Sequence, residues 1–330
     1  MQEQRKLDHI NLTLEAQKNL LDLDPRFNYE PLLAAHPNLE NKLETTIFGK
    51  KLKAPLWVSS MTGGSSKSTL INHNLARICR EFGLGMGLGS CRSLMNENYK
   101  NADFDVRPIM GDDLPLFANL GIAQVEQSIR ENNCDKILKM LEVLTVDGLV
   151  IHINPLQEYL QKEGDVITVP PIETIKKFLS LTKTKVVIKE VGQGMGPASL
   201  KALMELPIAG IELAGFGGTN FVEVEMKRNV KHKAGLYPLA TVGHSALDMI
   251  DTLNGLHHKY QKDLIISGGI KNFLDGYYLL KSSANNAVIG QAKNFLVHAH
   301  DYESLRDFVR NEIDGLKMAY NFLTIKERKL

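Results

Sequence analysis

Four polar side chains stand in the heptapeptide HINPLQE, residues 152–158, directly after the apolar run DGLVI. They are the imidazole of His152, the amides of Asn154 and Gln157, and the carboxylate of Glu158. In a buried position, each neutral group left without a partner would cost roughly 2–7 kcal/mol. Either water reaches these groups or a ligand binds them, so HINPLQE is a candidate wall of a binding cavity.

Other polar or glycine-rich segments follow apolar runs at regular intervals along the chain. They are MTGG (61–64), GSCR (89–92), Asn119-Leu-Gly, KEVGQG (189–194), GFGGTN (215–220), SGGIK (267–271) and GQA (290–292). The last two are typical of a phosphate site built from backbone N–H groups. Lys189 is either a ligand-contacting cation or a surface partner of Glu190. Cys91 lies in one of these segments, but a nucleophilic thiolate there would need a base that the sequence does not identify.

The apolar runs that precede these segments predict eight parallel strands. They are PLWVSS (55–60), LGMGLG (84–89), LPLFANL (114–120), DGLVIHI (147–153), TKVVIK (184–189), PIAGIELA (207–214), LIISG (264–268) and AVIG (287–290). Stretches with helical periodicity alternate with them, which predicts a (β/α)8 TIM barrel. Every polar segment then lies at the carboxyl end of a strand, where barrel enzymes carry their active sites. Alternation along the fourth strand points His152 and Asn154 into the barrel mouth.

The sequence also predicts how the chain is divided. Residues 1–54 form an N-terminal extension, in which LETTIFGKKLKAP alternates like a hairpin; residues 55–300 form the barrel, and residues 301–330 a C-terminal helix. No linker or low-complexity segment interrupts this order, which indicates a single domain.

Composition and charge exclude several classes of function. The 39 basic and 38 acidic residues give a net charge of +1, so no overall field favours nucleic acid or an anionic membrane. No apolar run is long enough to span a bilayer, and the polar start MQEQRKLDHINL contains no signal-peptide core. Three cysteines without metal-type spacing suggest a reducing compartment, and we expect a cytoplasmic protein.

The ordered motifs RKLDH, MTGG, GSCR, ANLG, HINPLQE, KEVG, AGFGGTNFVEVE and SGGIK resemble those of the type 2 isopentenyl diphosphate isomerases. The resemblance extends from residue 5 to about residue 292. Members of this family are FMN-dependent barrels that interconvert isopentenyl and dimethylallyl diphosphate. The resemblance therefore implies a small-molecule substrate and a homo-oligomer, a tetramer or an octamer.

The resemblance also implies which residues bind the cofactors. The flavin ring and ribityl chain would contact Met61, Thr62, Gly63, Ser90, Asn119, Lys189 and Thr219. The FMN phosphate would lie against Gly268, Gly269, Gln291 and Ala292. Glu158 would be a ligand of Mg²⁺ bridging the substrate diphosphate, and NADPH would serve only to reduce the FMN.

A third implied set would act on the substrate. The substrate-binding residues would be Arg5, Lys6, Arg92, His152, Asn154 and Gln157. The catalytic residues would be Gln157, Glu225 and His152. The reaction is a 1,3-proton shift without net redox change, in which reduced flavin stabilises the positive charge that develops on the protonated alkene. Gln157 cannot titrate usefully, so we assign it to positioning.

Some positions depart from the family pattern, and two other functions stay open. Cys91 replaces the usual glutamine, SSANNA replaces a GADA-like segment, and no Trp-Gly-x-Pro-Thr stretch is recognisable in AGLYPLATVGHS (234–245), where Thr241 is only a loose counterpart. A 2-hydroxy acid oxidase would need a histidine base, which AGFGGTN and SGGIK do not supply. A non-catalytic flavin- or phosphate-binding barrel would have no need for Gln157, Glu158 and Arg5-Lys6 together.

Overall fold

The computed structural model describes residues 2–37, 43–60, 66–95, 103–228 and 234–327. Its strands are β1 (Phe27–Tyr29), β2 (Thr45–Ile47), β3 (Lys50–Leu52), β4 (Leu56–Val58), β5 (Gly85–Gly87), β6 (Leu116–Gly121), β7 (Gly148–Ile153), β8 (Lys185–Glu190), β9 (Gly210–Glu212), β10 (Asp263–Ser267), β11 (Ala287–Gln291) and β12 (Leu323–Ile325). Its α-helices are α1 (Gln2–Thr13), α2 (Ser66–Phe82), α3 (Arg107–Met110), α4 (Ile122–Arg130), α5 (Cys134–Val143), α6 (Pro155–Leu160), α7 (Pro171–Leu181), α8 (Pro197–Met204), α9 (Phe221–Arg228), α10 (Ala246–Leu256), α11 (Phe273–Ser282), α12 (Lys293–His298) and α13 (Tyr302–Phe322). Short 3-10 helices cover Leu20–Asp22, Arg92–Met95 and Ala234–Thr241.

Strands β4 to β11 form a closed parallel barrel, with each strand paired to the next along the chain and β11 paired to β4. All eight predicted strands are present, and the predicted (β/α)8 barrel is confirmed. The strands are nearly continuous in apolar character because helices cover them outside and side chains fill them inside. In β7, for example, Leu149, Val150 and Ile151 are all fully buried.

The predicted hairpin is formed by β2 and β3, and it closes the amino end of the barrel. Its turn residues Phe48 and Gly49 both have positive φ, 51° and 84°, as a tight two-residue hairpin turn requires. The Phe48 ring lies 4.9 Å from the Phe117 ring centroid. Its carbonyl oxygen accepts a hydrogen bond from Lys185 Nζ at 2.7 Å, at the start of β8. The hairpin therefore covers the amino ends of the strands that it contacts, β6 and β8.

The two ends of the chain lie outside the barrel. Helix α13 packs against α11 and α2, and β12 pairs antiparallel with β1. The N-terminal segment exposes many large apolar side chains, including Leu20 at 87% and Leu21 at 93%. Among the described residues, no helix is long and apolar enough to cross a membrane.

Candidate active site at the carboxyl end of the barrel

A cavity of about 540 Å³ opens at the carboxyl ends of β8 to β11 and β4. Six residues predicted to contact a cofactor line it together: Lys189, Thr219, Gly268, Gly269, Gln291 and Ala292. They come from the ends of four consecutive strands, and the direct pairing of β8 to β11 brings them into one space.

The loop after β10 has a backbone shape that only glycine adopts readily. Gly268 and Gly269 have φ of 93° and 74°, and a Cβ on Gly268 would collide with the backbone of Gly215 in the neighbouring loop. Lys271 and Lys293 also line the cavity on this side. The sequence analysis assigned neither lysine to the site. Backbone N–H groups with two nearby ammonium groups are suited to a phosphate.

Gln291 lines this cavity, but its side chain contacts a helix outside the barrel. Its side-chain Nε2 donates a hydrogen bond to Oε2 of Glu312 at 3.2 Å. Glu312 belongs to the C-terminal helix α13, outside the barrel. The side chain is thereby engaged with α13. What Gln291 can offer a ligand in the cavity is its backbone.

Lys189 and Glu212 form neighbouring positions on the cavity wall, because β8 and β9 pair in a register that sets them side by side. Lys189 Nζ donates to the Glu190 carbonyl oxygen at 2.7 Å. Glu212 is 1% exposed; its Oε1 accepts from Ser267 Oγ at 3.3 Å, and its Oε2 has no partner among the described residues. Burial raises the pKa of Glu212, and the positive charge of Lys189 opposes that rise. Sequence reasoning missed Glu212, although a carboxylate inside the apolar run PIAGIELA was a visible signal.

His152 stands on β7 beside Lys189 of β8. Its Nδ1 lies 2.7 Å from Asn119 Oδ1 at the end of β6, two predicted site residues in direct contact. Burial, together with the charge of Lys189, lowers the pKa of His152 to about 3, so the imidazole is neutral near pH 7. With Asn119 Oδ1 accepting, Nδ1 carries the proton and Nε2 is a hydrogen-bond acceptor.

The rest of HINPLQE forms one hydrogen-bonded group at the start of α6. Pro155 occupies the first position of this helix, which places Gln157 and Glu158 in its first turn. Asn154 Nδ2 donates to Gln157 Oε1 at 3.1 Å and to Glu158 Oε1 at 2.9 Å. Asn154 is 3% exposed, and its Oδ1 has no partner among the described residues. These contacts leave an acceptor available for a ligand or a water molecule.

Helix α9 brings Glu225 into contact with the same group. Glu225 is 2% exposed, and its Oε1 accepts from Gln157 Nε2 at 3.3 Å and from Gln161 Nε2 at 2.9 Å. Its Oε2 accepts from Arg228 Nη1 at 2.8 Å. Glu225 therefore holds the amide of Gln157 on the side opposite Asn154.

Asp165, in the loop between α6 and α7, lies on the other side of Glu158. Its backbone N–H donates to Glu158 Oε2 at 2.8 Å, and its carboxylate pairs with Arg92 at 2.7 Å. Gln124 Nε2 also donates to Asp165 Oδ2, at 2.7 Å. Sequence reasoning missed Asp165 and Gln124. The polar stretch QKEGD (161–165), two residues after HINPLQE, was the available signal for Asp165.

This cluster does not include the predicted residues Arg5, Lys6 and Ser90. Arg5 and Lys6 lie on the exposed helix α1, where neither side chain makes a hydrogen bond or ion pair with another described residue. Ser90 is exposed after β5. The predictions for Met61, Thr62 and Gly63 fall outside the described residues.

The cysteine of GSCR is a structural side chain. Cys91 is fully buried, and its thiol lies 3.3 Å from the Gly89 carbonyl oxygen. Burial raises its pKa to about 12, which excludes a thiolate nucleophile near neutral pH.

Comparison with known proteins identifies relatives over most of the chain. An isopentenyl-diphosphate delta-isomerase of Deinococcus radiodurans is 35% identical over 328 residues, covering 96% of this chain and 93% of the relative. One of Rickettsia peacockii is 32% identical over 317 residues, covering 92% and 87%. No protein-family model matches the chain.

Solved structures share the fold at low sequence identity. A flavocytochrome b2 variant with sulfite bound has a TM-score of 0.61 at 15% identity, covering 89% of this chain and 71% of the other. A mandelate oxidase variant with a monooxide FMN adduct has a TM-score of 0.53 at 12% identity, covering 92% and 88%. These similarities show a common barrel architecture.

Proposed function

Because this chain belongs to the isopentenyl-diphosphate delta-isomerase family, we propose that it interconverts isopentenyl and dimethylallyl diphosphate by a 1,3-proton shift. The reaction would use reduced FMN and Mg²⁺. The main support for the proposal is that the glycine-rich cavity and the HINPLQE cluster lie next to each other in the barrel mouth. A cavity with a glycine-rich phosphate cradle adjoins the HINPLQE cluster at His152 and Lys189, which are neighbours on paired strands.

The cavity fits FMN by the chemistry of its donors. Gly268 and Gly269 line it in a glycine-specific turn with positive φ, and Lys271 and Lys293 supply positive charge nearby. The unpartnered Glu212 Oε2 in the wall can accept a hydrogen bond from a ligand hydroxyl. Lys189 would lie at the pyrimidine edge, where its cation stabilises an anionic ring. When bound and reduced by NADPH, FMN would supply an electron-rich ring, whose chemistry is stabilisation of positive charge and proton exchange.

Glu158 would provide the protein's ligand to Mg²⁺. Its side chain is 9% exposed in the fold, and each carboxylate oxygen accepts a single hydrogen bond, which leaves lone pairs for a cation. No group of three or more histidine, cysteine or acidic side chains among the described residues could enclose a metal. We propose an ion held by one carboxylate, diphosphate oxygens and water, a common arrangement for Mg²⁺.

Gln157 would orient the reacting carbons rather than move a proton. Its amide is held from both sides, by Asn154 and by Glu225, so its orientation is fixed before substrate binds. His152 is neutral, and we assign it to substrate positioning through Nε2. Arg92, Asn154, Arg5 and Lys6 would bind the diphosphate.

The second candidate function is a flavin-dependent oxidation of a 2-hydroxy acid, because the fold resembles those of flavocytochrome b2 and mandelate oxidase. Such chemistry needs a base that removes a proton from the hydroxy acid. None of the residues lining the described cavity is a histidine, and the loop after β9 presents Phe216 between two glycines.

One experiment separates the two functions. Purified protein loaded with FMN should isomerise isopentenyl diphosphate after reduction by dithionite or NADPH in the presence of Mg²⁺, and should not do so with oxidised FMN. Lactate or mandelate should leave the flavin spectrum unchanged under anaerobic conditions. Isomerase activity in the apoprotein, or bleaching of the flavin by a 2-hydroxy acid, would refute the proposal.

We also propose that the protein is a homo-oligomer. Leu20, Leu21, Leu32 and Leu33 are between 79% and 93% exposed in the single chain, and such apolar side chains are candidates for burial between subunits. A second copy would cover them in a tetramer or octamer. A monomeric mass from size-exclusion chromatography with light scattering would contradict this.

A cytoplasmic location is proposed on the state of the cysteines. Cys79, Cys91 and Cys134 are all free thiols, as is usual in a reducing compartment.

A further inference from the structure

Asp165 contacts two residues of the proposed diphosphate site that come from different parts of the chain. It lies 73 residues from Arg92 and 7 from Glu158, and it touches both. No motif in the sequence pointed to it, so its contacts raise the question of what it does.

The Asp165 carboxylate orients the Arg92 guanidinium. Arg92 Nη1 lies 2.7 Å from Asp165 Oδ2, and Nη2 lies 3.4 Å from Oδ1, so the two planar groups face each other. Gln124 Nε2 donates to Oδ2 and fixes the carboxylate in turn. The Arg92 side chain is 58% exposed and would otherwise sample many rotamers. The pairing leaves Nε–H and one hydrogen on each terminal nitrogen for an anion.

The backbone of the same residue orients Glu158. The Asp165 N–H donates to Glu158 Oε2 at 2.8 Å, while Asn154 Nδ2 holds Oε1 at 2.9 Å. One residue thus sets the relative position of a cation and of a carboxylate. A diphosphate needs this pair together, because the guanidinium can bind one phosphate directly while the carboxylate binds the other through Mg²⁺.

We propose that Asp165 is a positioning residue for the diphosphate site, which holds Arg92 and Glu158 in the arrangement that binds a Mg²⁺-diphosphate. This inference rests on the proposed function, since it takes the diphosphate as the ligand. The Asp165 side chain is 29% exposed, and an ion pair this accessible contributes little to folding, so substitution should leave the barrel intact.

The test uses FMN-loaded enzyme carrying Asp165→Ala or Asp165→Asn. Isothermal titration with inorganic pyrophosphate and Mg²⁺ measures binding without turnover, and kinetics measure KM and kcat for isopentenyl diphosphate. Asp165→Ala should raise both the pyrophosphate Kd and the KM by about tenfold, the loss of one well-placed charged hydrogen bond. The kcat and FMN affinity should stay near wild-type values. Both variants keep the backbone contact with Glu158. Asp165→Asn also keeps an oxygen facing Arg92, so its effect should be smaller.

A double-mutant cycle shows whether Asp165 acts through Arg92. If it does, Arg92→Ala combined with Asp165→Ala should bind pyrophosphate no worse than Arg92→Ala alone. Asp307→Asn is the matched control, because Asp307 forms an exposed ion pair with Arg310 on α13 outside the barrel. It should change neither binding nor turnover.

Two results would overturn the inference while leaving the proposed function intact. In an active wild-type enzyme, an unchanged Kd and KM for Asp165→Ala would make the Arg92 contact an ordinary surface pair. Tighter binding by Asp165→Ala would mean that the carboxylate competes with the diphosphate. If the wild-type enzyme neither isomerises nor binds Mg²⁺-pyrophosphate, both the inference and the proposed function are wrong.

Discussion

Replacing Glu158 by glutamine should weaken Mg²⁺ binding while leaving the barrel folded. Both carboxylate oxygens accept hydrogen bonds, one from Asn154 Nδ2 and one from the Asp165 N–H. A glutamine has one acceptor oxygen, so one of these contacts is lost unless Asn154 turns its amide and offers Oδ1, the atom that now has no partner. That turn would break the contact between Asn154 Nδ2 and Gln157 Oε1. The cost to folding is therefore about one hydrogen bond.

The magnitudes of the two effects differ enough to be measured separately. One lost hydrogen bond destabilises the fold by roughly 0.5–1.5 kcal/mol, which lowers the thermal midpoint by only a few degrees. Loss of a group that merely supports a metal ligand weakens metal sites roughly 10–100-fold, and loss of the charged ligand should cost at least as much. The Mg²⁺ concentration for half-maximal activity should rise accordingly, together with the KM for isopentenyl diphosphate.

The assay is a Mg²⁺ titration of activity at several substrate concentrations, with FMN retention followed by flavin absorbance. Glu163→Gln is the matched control, since Glu163 is a nearby carboxylate, 68% exposed, that pairs with Arg228. FMN retention should be unchanged in both variants, because the proposed FMN phosphate site lies across the mouth at β10 and β11. A Glu158→Gln enzyme with wild-type Mg²⁺ dependence would refute the metal assignment.

Four further predictions follow from the same contacts. Gln157→Ala should lower kcat without altering the Mg²⁺ requirement, and a shifted Mg²⁺ midpoint in kinetic titrations would contradict its positioning role. Lys189→Ala should weaken FMN binding or destabilise the anionic reduced flavin. Unchanged FMN affinity together with unchanged turnover would indicate that Lys189 is only a surface partner of Glu190. Burial raises the pKa of Glu212, so the folded state binds this proton more tightly than the unfolded chain does. The stability that the protonated Glu212 contributes is therefore present below about pH 4.5 and is lost as pH rises toward the folded pKa. Glu212→Gln should reduce this loss of stability, and identical pH trends of the two proteins in thermal melts would refute the assignment. His152 has a pKa near 3 and should stay neutral, so the ratio of kcat/KM between wild type and His152→Gln should be constant from about pH 5.5 to 8, and a slope in that ratio would show that His152 titrates.

The sequence by itself was sufficient to predict the barrel fold and the end of the barrel at which the polar residues lie. Strands that are buried on both faces must be continuously apolar, so each of the eight runs is visible within a window of a few residues. The polar residues that interrupt this pattern, as in HINPLQE, are conspicuous because burying a polar side chain without a partner destabilises a strand. Gly268 and Gly269 were found for the same local reason, since they form a turn that other residues adopt with strain.

The tertiary structure alone decided which of these residues touch and what charge they carry. Gln157 meets Glu225 across 68 residues, and Arg92 meets Asp165 across 73, so neither contact has a period or a spacing in the sequence. The barrel creates them by curling separate strands until their ends converge. The neutral state of His152 likewise depends on burial and on Lys189 in the next strand. The apolar pattern of a strand is visible in a few consecutive residues, because each strand must be buried wherever it lies in the fold. A polar contact instead depends on the distance between two chain segments, and only the closed barrel determines that distance.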